Sequence, residues 1–352
     1  MKTKISVLII LCFVAVFAAT GCMKSQPSGP GDTSTPTINP TLTAEALQTA
    51  GPAAQQTATA QSAATTITVP TAIITPIGGS SAIVSVPGRT FIQSDPYGNS
   101  FSHTISAFKM GKYQVTYNLW YAVYQWAVGN GYSFANAGAG SGYAPVTTVN
   151  WRDVIVWCNA YSQKSGLTPV YCSDPGLTTP IKNSTNGVYG SSINTTAGSF
   201  DNPYVNWNTN GYRLPTEGEW QYAASYIDGS SWTPYNYASG ATADYNDATA
   251  TRLVAWYYVN CNGTQVVGGK TANALGIYDM SGNVWEWCWD WGGAYPGTYT
   301  DYRGSASGSV RVIRGGGFYD DAEHMQVGFR YSNYADPYGA YYDSGFRFAR
   351  TN

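Results

Sequence analysis

Polar and apolar positions divide the chain into regions of different character. From Ile5 to Ala19 every position is apolar except Ser6, and Lys2 and Lys4 stand just before the run. Residues 23–82 then show neither alternation nor a helical period. Ordered patterning begins beyond them. Ala107–Thr116 alternates as a strand does, and Tyr117–Ala127 carries aromatic residues at helical spacing. Asn150, Trp151, Arg152 and Asp153 open a second helix that runs through Tyr161, with Gly166 as its stop signal. A third is announced where Thr216 precedes Glu219 by three residues, the spacing of a capping box. Between these pieces lie long stretches rich in Gly, Asn and Ser. The pattern predicts a loop-rich α+β domain with few short strands and helices.

The apolar run is too short for a comfortable membrane span and reads as a signal peptide. Its end, Ala19, Thr20, Gly21 and Cys22, resembles a bacterial lipobox, so residues 1–22 are expected to be a lipoprotein leader with Cys22 as the lipidated residue. Residues 23–82 are built mostly of Thr, Ala, Pro, Gln and Ser, with Lys24, Asp32 and Glu45 as the only charges. A segment of that kind buries too little apolar area to offset its conformational entropy and is expected to be a solvated tether. The remainder, 83–352, is long enough for one substantial core.

Charge narrows the function. The chain has 18 Lys and Arg against 20 Asp and Glu, a net charge of −2, and only 11% of its residues are charged. No basic face for nucleic acid can be built from that balance. The 39 Gly, 29 Tyr and 12 Trp instead suit turns and amphipathic ring surfaces. Cys158, Cys172, Cys261 and Cys288 lie in the domain, and in an oxidising compartment up to two disulfides are expected among them, in any of three complete pairings. No cysteine or histidine spacing suggests zinc.

Ordered motifs follow one another through the domain: Arg213 to Trp220 (RLPTEGEW), Gly276 to Trp287 (GIYDMSGNVWEW), Arg311 to Phe318 (RVIRGGGF) and Gly345 to Ala349 (GFRFA). In order and spacing they resemble the formylglycine-generating, sulfatase-modifying family, which implies an elaborated C-type lectin fold over the whole domain. Most of these residues are expected to serve that fold: Gly282, Gly315 and Gly316 in tight backbone paths, Arg213, Arg314 and Arg347 paired with buried carboxylates or carbonyls. In the oxidase branch of the family two cysteines after the glycine motif bind copper. Here Asp320 stands at the first of those places and Met325 near the second, and no cysteine follows Cys288. Carboxylate and thioether replace thiolate poorly as copper ligands, so no catalytic residue is assigned and no cofactor is required. The alternative is an enzyme with an altered centre built from Asp320, His324 and Cys288. The resemblance also implies a structural calcium site at Asp279, Gly282, Val284 and Glu286, whose oxygens suit calcium; the competing reading pairs Glu286 with an arginine.

One stretch has another character. Tyr331 to Ser344 holds five tyrosines in fourteen residues, separated by small and polar types, and no apolar period explains it as core. Stiff rings interspersed with Ser, Asn, Asp and Gly are the chemistry of antibody loops. Every residue type in the run is also reachable from the codon AAC by replacing adenines. With the leader and the missing cysteines, this resembles the variable proteins of diversity-generating retroelements, in particular those that are surface lipoproteins. The resemblance implies a variable region at 319–344 that forms a ligand-binding face. Its expected residues are Tyr319, Asp320, Asp321, Ser332, Asn333, Tyr334, Asp336, Tyr338, Tyr341, Tyr342 and Asp343. Expected partners are a protein or glycan on another cell and, through Cys22, a membrane of the bacterial envelope, with display at the outer surface.

Overall fold

The computed structural model describes residues 83–185, 193–331 and 335–352, all within the unit Ile73–Asn352. The leader, Cys22, the tether and the predicted contacts Ser332, Asn333 and Tyr334 lie outside the described residues. The first half contains β1 (Ile83–Val86), β2 (Arg89–Ser94), β3 (Ser100–Ile105), β4 (Phe108–Gly111), α1 (Tyr117–Val128), α2 (Trp151–Lys164), β5 (Tyr171–Cys172) and β6 (Tyr204–Val205). The second half contains α3 (Glu217–Ser225), α4 (Ala248–Val254), β7 (Trp285–Trp291), β8 (Tyr299–Thr300) and β9 (Arg311–Arg314). A 3₁₀ turn (Ala322–Met325) follows, then β10 (Arg330–Tyr331), β11 (Ser344–Gly345) and β12 (Ala349–Thr351).

The helices start where short polar side chains can satisfy their free N–H groups. Thr116 Oγ1 accepts from Leu119 N, Asn150 exchanges bonds with Asp153, and Thr216 exchanges bonds with Glu219. Gly166, with φ of +70°, lies just past the end of α2. All residues of α2 from Trp151 to Ser162 are buried, so this helix runs through the interior instead of along its surface.

The sheet that carries the site is ordered β10-β9-β7-β11. Its strand β7, WEWCWDW, is buried at every position, and its alternation sorts side chains onto two faces. Trp285, Trp287 and Trp289 enter one core with Trp120, Trp157 and Phe346. Cys288 enters a second core with Trp220, Met280 and Val312. A second sheet, β1-β4-β12, sets the last strand beside β4, with Ala349 opposite Met110.

Charges within this interior are paired, because an unpaired buried charge is costly. Arg152 bonds Asp201 at 2.5 Å, Arg213 bonds Glu219 at 2.6 Å and Arg314 bonds Glu217 at 2.6 Å. Arg311 instead lies 3.7 Å from the Trp151 ring centre and 3.5 Å from that of Trp291, and donates to the carbonyls of Trp289 and Asp201. Asp290 accepts from Glu217 N at 2.6 Å, and burial, with the Glu217 carboxylate close by, pushes its pKa up to about 8. The expected disulfides are not formed: all four described cysteines are free, and Cys158, Cys172 and Cys288 are buried.

Candidate functional site

Beyond Arg314 the chain turns sharply. Gly315 and Gly316 have φ of +97° and +73°, and a Cβ on Gly316 would lie 2.3 Å from Met325 Cε and 2.8 Å from the His324 carbonyl oxygen. Only glycine fits this passage without strain. The next residues are fixed at the main chain. Phe318 N donates to Asn283 O at 2.9 Å, Tyr258 N donates to Asp320 O at 3.0 Å, and Gly317 N donates to the Asp320 carboxylate at 2.8 Å. Their side chains diverge: Phe318 is buried, whereas Tyr319 is 68% exposed.

The returning segment is held in the same way. Arg311 N donates to Ala335 O at 2.8 Å, Thr148 N to Tyr341 O at 2.9 Å and Trp285 N to Asp343 O at 2.9 Å. Asn150 Nδ2 donates to Tyr338 O at 3.4 Å, and the Arg152 guanidinium lies 5.6 Å from the Tyr338 ring centre. Tyr342 emerges 60% exposed, and its ring meets that of Tyr319 edge-on at 6.2 Å. The two ends of the segment 319–344 thus place a pair of exposed rings together over buried Phe318.

Beside this pair opens a hollow of about 290 Å³ lined by Trp285, Asp320, His324, Tyr331, Tyr341 and Asp343, among others. Burial pushes the pKa of Asp320 up, and that of Asp343 up as well, the latter with a second contribution from the Asp320 charge. Asp321 is exposed; its carboxylate caps the 3₁₀ turn through Glu323 N at 3.2 Å and contacts His324 Nδ1 at 2.8 Å. Asp336 is half-buried and accepts Gly339 N at its carbonyl, 2.9 Å away. A wider cleft of about 650 Å³ adjoins through Tyr331, with Tyr97, Asn99 and Tyr295 on its walls.

Of the expected face residues, Tyr319 and Tyr342 come together outside, and Asp320, Tyr341 and Asp343 share the hollow. Trp285, in the hollow, and Tyr258, beside Asp320, were not anticipated as parts of the face, and His324, inside 319–344, was named only for an altered catalytic centre. Trp285 belongs to a motif that reads as core, and Tyr258, 67% exposed beside Asp320, carries no local signal. The alternative catalytic trio is not assembled. His324 is 4.0 Å from Asp320, but Cys288 is fully buried in the core around Trp220 and is not part of the hollow. Burial pushes its thiol well above the usual range, the reverse of what a reactive thiolate needs.

The residues expected to hold calcium do converge, though on a different occupant. Asp279 O, Gly282 O, Val284 O and Glu286 Oε1 surround Gln114 Nε2 at 3.0–3.2 Å. Arg347 grips Glu286 with two bonds of 2.6 Å and also donates to Asp279 O at 3.1 Å. Asp279 contributes its carbonyl only. Its carboxylate turns away to accept Gly268 N at 2.7 Å, and burial pushes its pKa up to about 6. With an amide at the centre and the Glu286 charge already neutralised, these residues do not fit a calcium ion. The arginine-paired reading of Glu286 describes the geometry.

Comparison with known proteins agrees with this architecture. The family described as Sulfatase-modifying factor enzyme 1-like domain matches residues 57–352. Chaperone protein LppX of Paenibacillus barcinonensis is 33% identical over 290 residues, which cover 77% of this chain and 90% of that protein. The formylglycine-generating enzyme of Thermomonospora curvata is 34% identical over 133 residues, 33% of this chain and 40% of that enzyme. Among solved structures, Treponema denticola variable protein 1 superposes with a TM-score of 0.61 at 31% identity, covering 77% of this chain and 95% of that one. The fold is the elaborated C-type lectin type.

Proposed function

The chain belongs to the family of the sulfatase-modifying factor enzyme 1-like domain, and from that membership we propose that it is a non-catalytic ligand-binding lipoprotein. Its variable face is the segment 319–344, displayed at the bacterial surface through lipid on Cys22. A protein or glycan on another cell is the partner. The observation that carries this reading is the division of labour between main chain and side chain. Carbonyls at 335, 341 and 343 are held by Arg311 N, Thr148 N and Trp285 N, while the Tyr319 and Tyr342 rings point to solvent. Such a loop keeps its path when its exposed side chains change.

Catalysis makes the opposite demand, since reacting groups must be held to a fraction of an ångström. A contact face tolerates replacement, because affinity comes from a few ring anchors on a stable support. The likeness to Treponema denticola variable protein 1 supports the same reading.

The test is to sequence the DNA around the gene for a reverse transcriptase and a template copy of codons 319–344. Their presence is the expected result; a solitary gene with no template counts against a diversified face. Two other readings have their own discriminators. The name of the Paenibacillus relative, a chaperone protein, favours a face that holds a client polypeptide, and suppression of aggregation of an unfolded protein would support it. Sustained copper-dependent oxygen consumption with a cysteine-containing peptide would revive the oxidase.

A further inference from the structure

We infer that the hollow beside the exposed tyrosines receives a cation, the ammonium or guanidinium of a lysine or arginine side chain on a partner polypeptide. This inference rests on the reading of 319–344 as a contact face and adds the chemistry of its ligand. Two carboxylates, Asp320 and Asp343, line the hollow, with the rings of Trp285, Tyr331 and Tyr341 as its walls. Trp285 and Tyr331 pack with ring centres 5.6 Å apart. Ring faces carry negative potential, so carboxylates set among them form a site complementary to a positive group.

Among the described residues no Lys or Arg lines the hollow, and His324 is the one basic side chain on its lining. The three arginines of the sheet are committed elsewhere, Arg314 to Glu217 at 2.6 Å. Arg330 bonds Glu217 and the Gly293 carbonyl, and Arg311 lies between tryptophan rings. His324 directs Nδ1 to Asp321 at 2.8 Å and stands 4.0 Å from Asp320. Elsewhere in the interior each arginine-paired carboxylate is bonded at 2.5–2.8 Å, whereas Asp320 and Asp343 face a space. At about 290 Å³ the hollow lies near the small end of ligand sites, about 300 Å³, so it suits one side chain better than an oligosaccharide.

The experiment titrates the full-length protein with Nα-acetyl-lysine N-methylamide, Nα-acetyl-arginine N-methylamide and neutral Nα-acetyl-norleucine N-methylamide, using saturation-transfer NMR. The two cations are expected to bind and the neutral analogue is not. Binding should weaken by about tenfold in Asp320→Asn or Asp343→Asn, variants that keep a hydrogen-bond acceptor for Gly317 N and Ser344 Oγ. It should also weaken as salt is raised. Equal binding of the neutral analogue, or cation binding unchanged in folded Asn variants, overturns the inference. Should either variant not fold, the salt series on the wild-type protein decides. The outcomes separate from those of the parent reading: a template copy of codons 319–344 without any cation binding refutes only the ligand chemistry.

Discussion

Replacing Arg347 with Met tests the frame beneath the face. Arg347 and Glu286 are both fully buried and joined by two bonds of 2.6 Å. The guanidinium also donates to the carbonyls of Gly111, Tyr278 and Asp279 at 3.0–3.1 Å. Methionine fills similar volume and removes every one of these donors. Glu286 is left with Gln114 Nε2 at 3.0 Å and Trp220 Nε1 at 2.7 Å, two neutral donors for a buried negative charge. Orphaning one partner of a buried ion pair costs about 3–5 kcal/mol. For a domain of this size each kcal/mol lowers Tm by about 2 °C, so a fall of about 6–10 °C is expected. The assay is thermal and urea unfolding with millimolar calcium or with a chelator. The chelator should leave wild-type stability unchanged, and calcium should not rescue Arg347→Met. A loss under about 1 kcal/mol, or a chelator-induced fall in wild-type Tm, would refute the assignment of Arg347 and Gln114 as the groups that fill the oxygen shell.

Three further outcomes follow from the same geometry. Asp290 has a folded pKa of about 8 against the ordinary aspartate value of 3.8, so the folded state keeps a proton that the unfolded state releases. Stability from this group therefore declines as pH rises from about 4 to about 8, and Asp290→Asn should flatten the pH profile of the unfolding free energy over that window. Tyr319→Ala and Tyr342→Ala should change stability by no more than about 0.5 kcal/mol, because both rings are exposed, while Trp285→Ala should cost about 3–5 kcal/mol; urea midpoints compare them. Gly316→Ala should destabilise by about 1–3 kcal/mol, through its φ of +73° and the 2.8 Å approach to the His324 carbonyl, measured the same way.

Local chemistry was readable from the sequence and long-range chemistry was not. Asn150 and the Thr216–Glu219 spacing mark helix starts because a cap is satisfied within three residues, and both act as caps; Thr116, read as the end of a strand, also caps a helix. The pairing of Arg213, Arg314 and Arg347 was legible as a type of interaction, since a buried guanidinium needs an acceptor. Gln114 was not legible as the occupant of the oxygen shell: it reaches Asp279, Gly282, Val284 and Glu286 from more than 160 residues away. The tyrosine-rich run announced its surface character through composition. Its companions Trp285 and Tyr258 join it only through folding, and nothing in their own neighbourhoods sets them apart. The oxidising compartment suggested disulfides, yet all four described cysteines are free, and Cys158 and Cys288 pack as small apolar groups in the two cores.

The central claim is that a fixed frame presents exchangeable contact groups, and deep sequencing of this gene across a bacterial population tests it most directly. The account predicts substitutions concentrated at outward positions such as Tyr319 and Tyr342, at codons reachable by replacing adenines. Arg314, Gly315, Gly316, Gly345, Phe346 and Arg347 should stay constant. Variation spread evenly over the domain, or a segment 319–344 as constant as the motifs that flank it, would contradict the account.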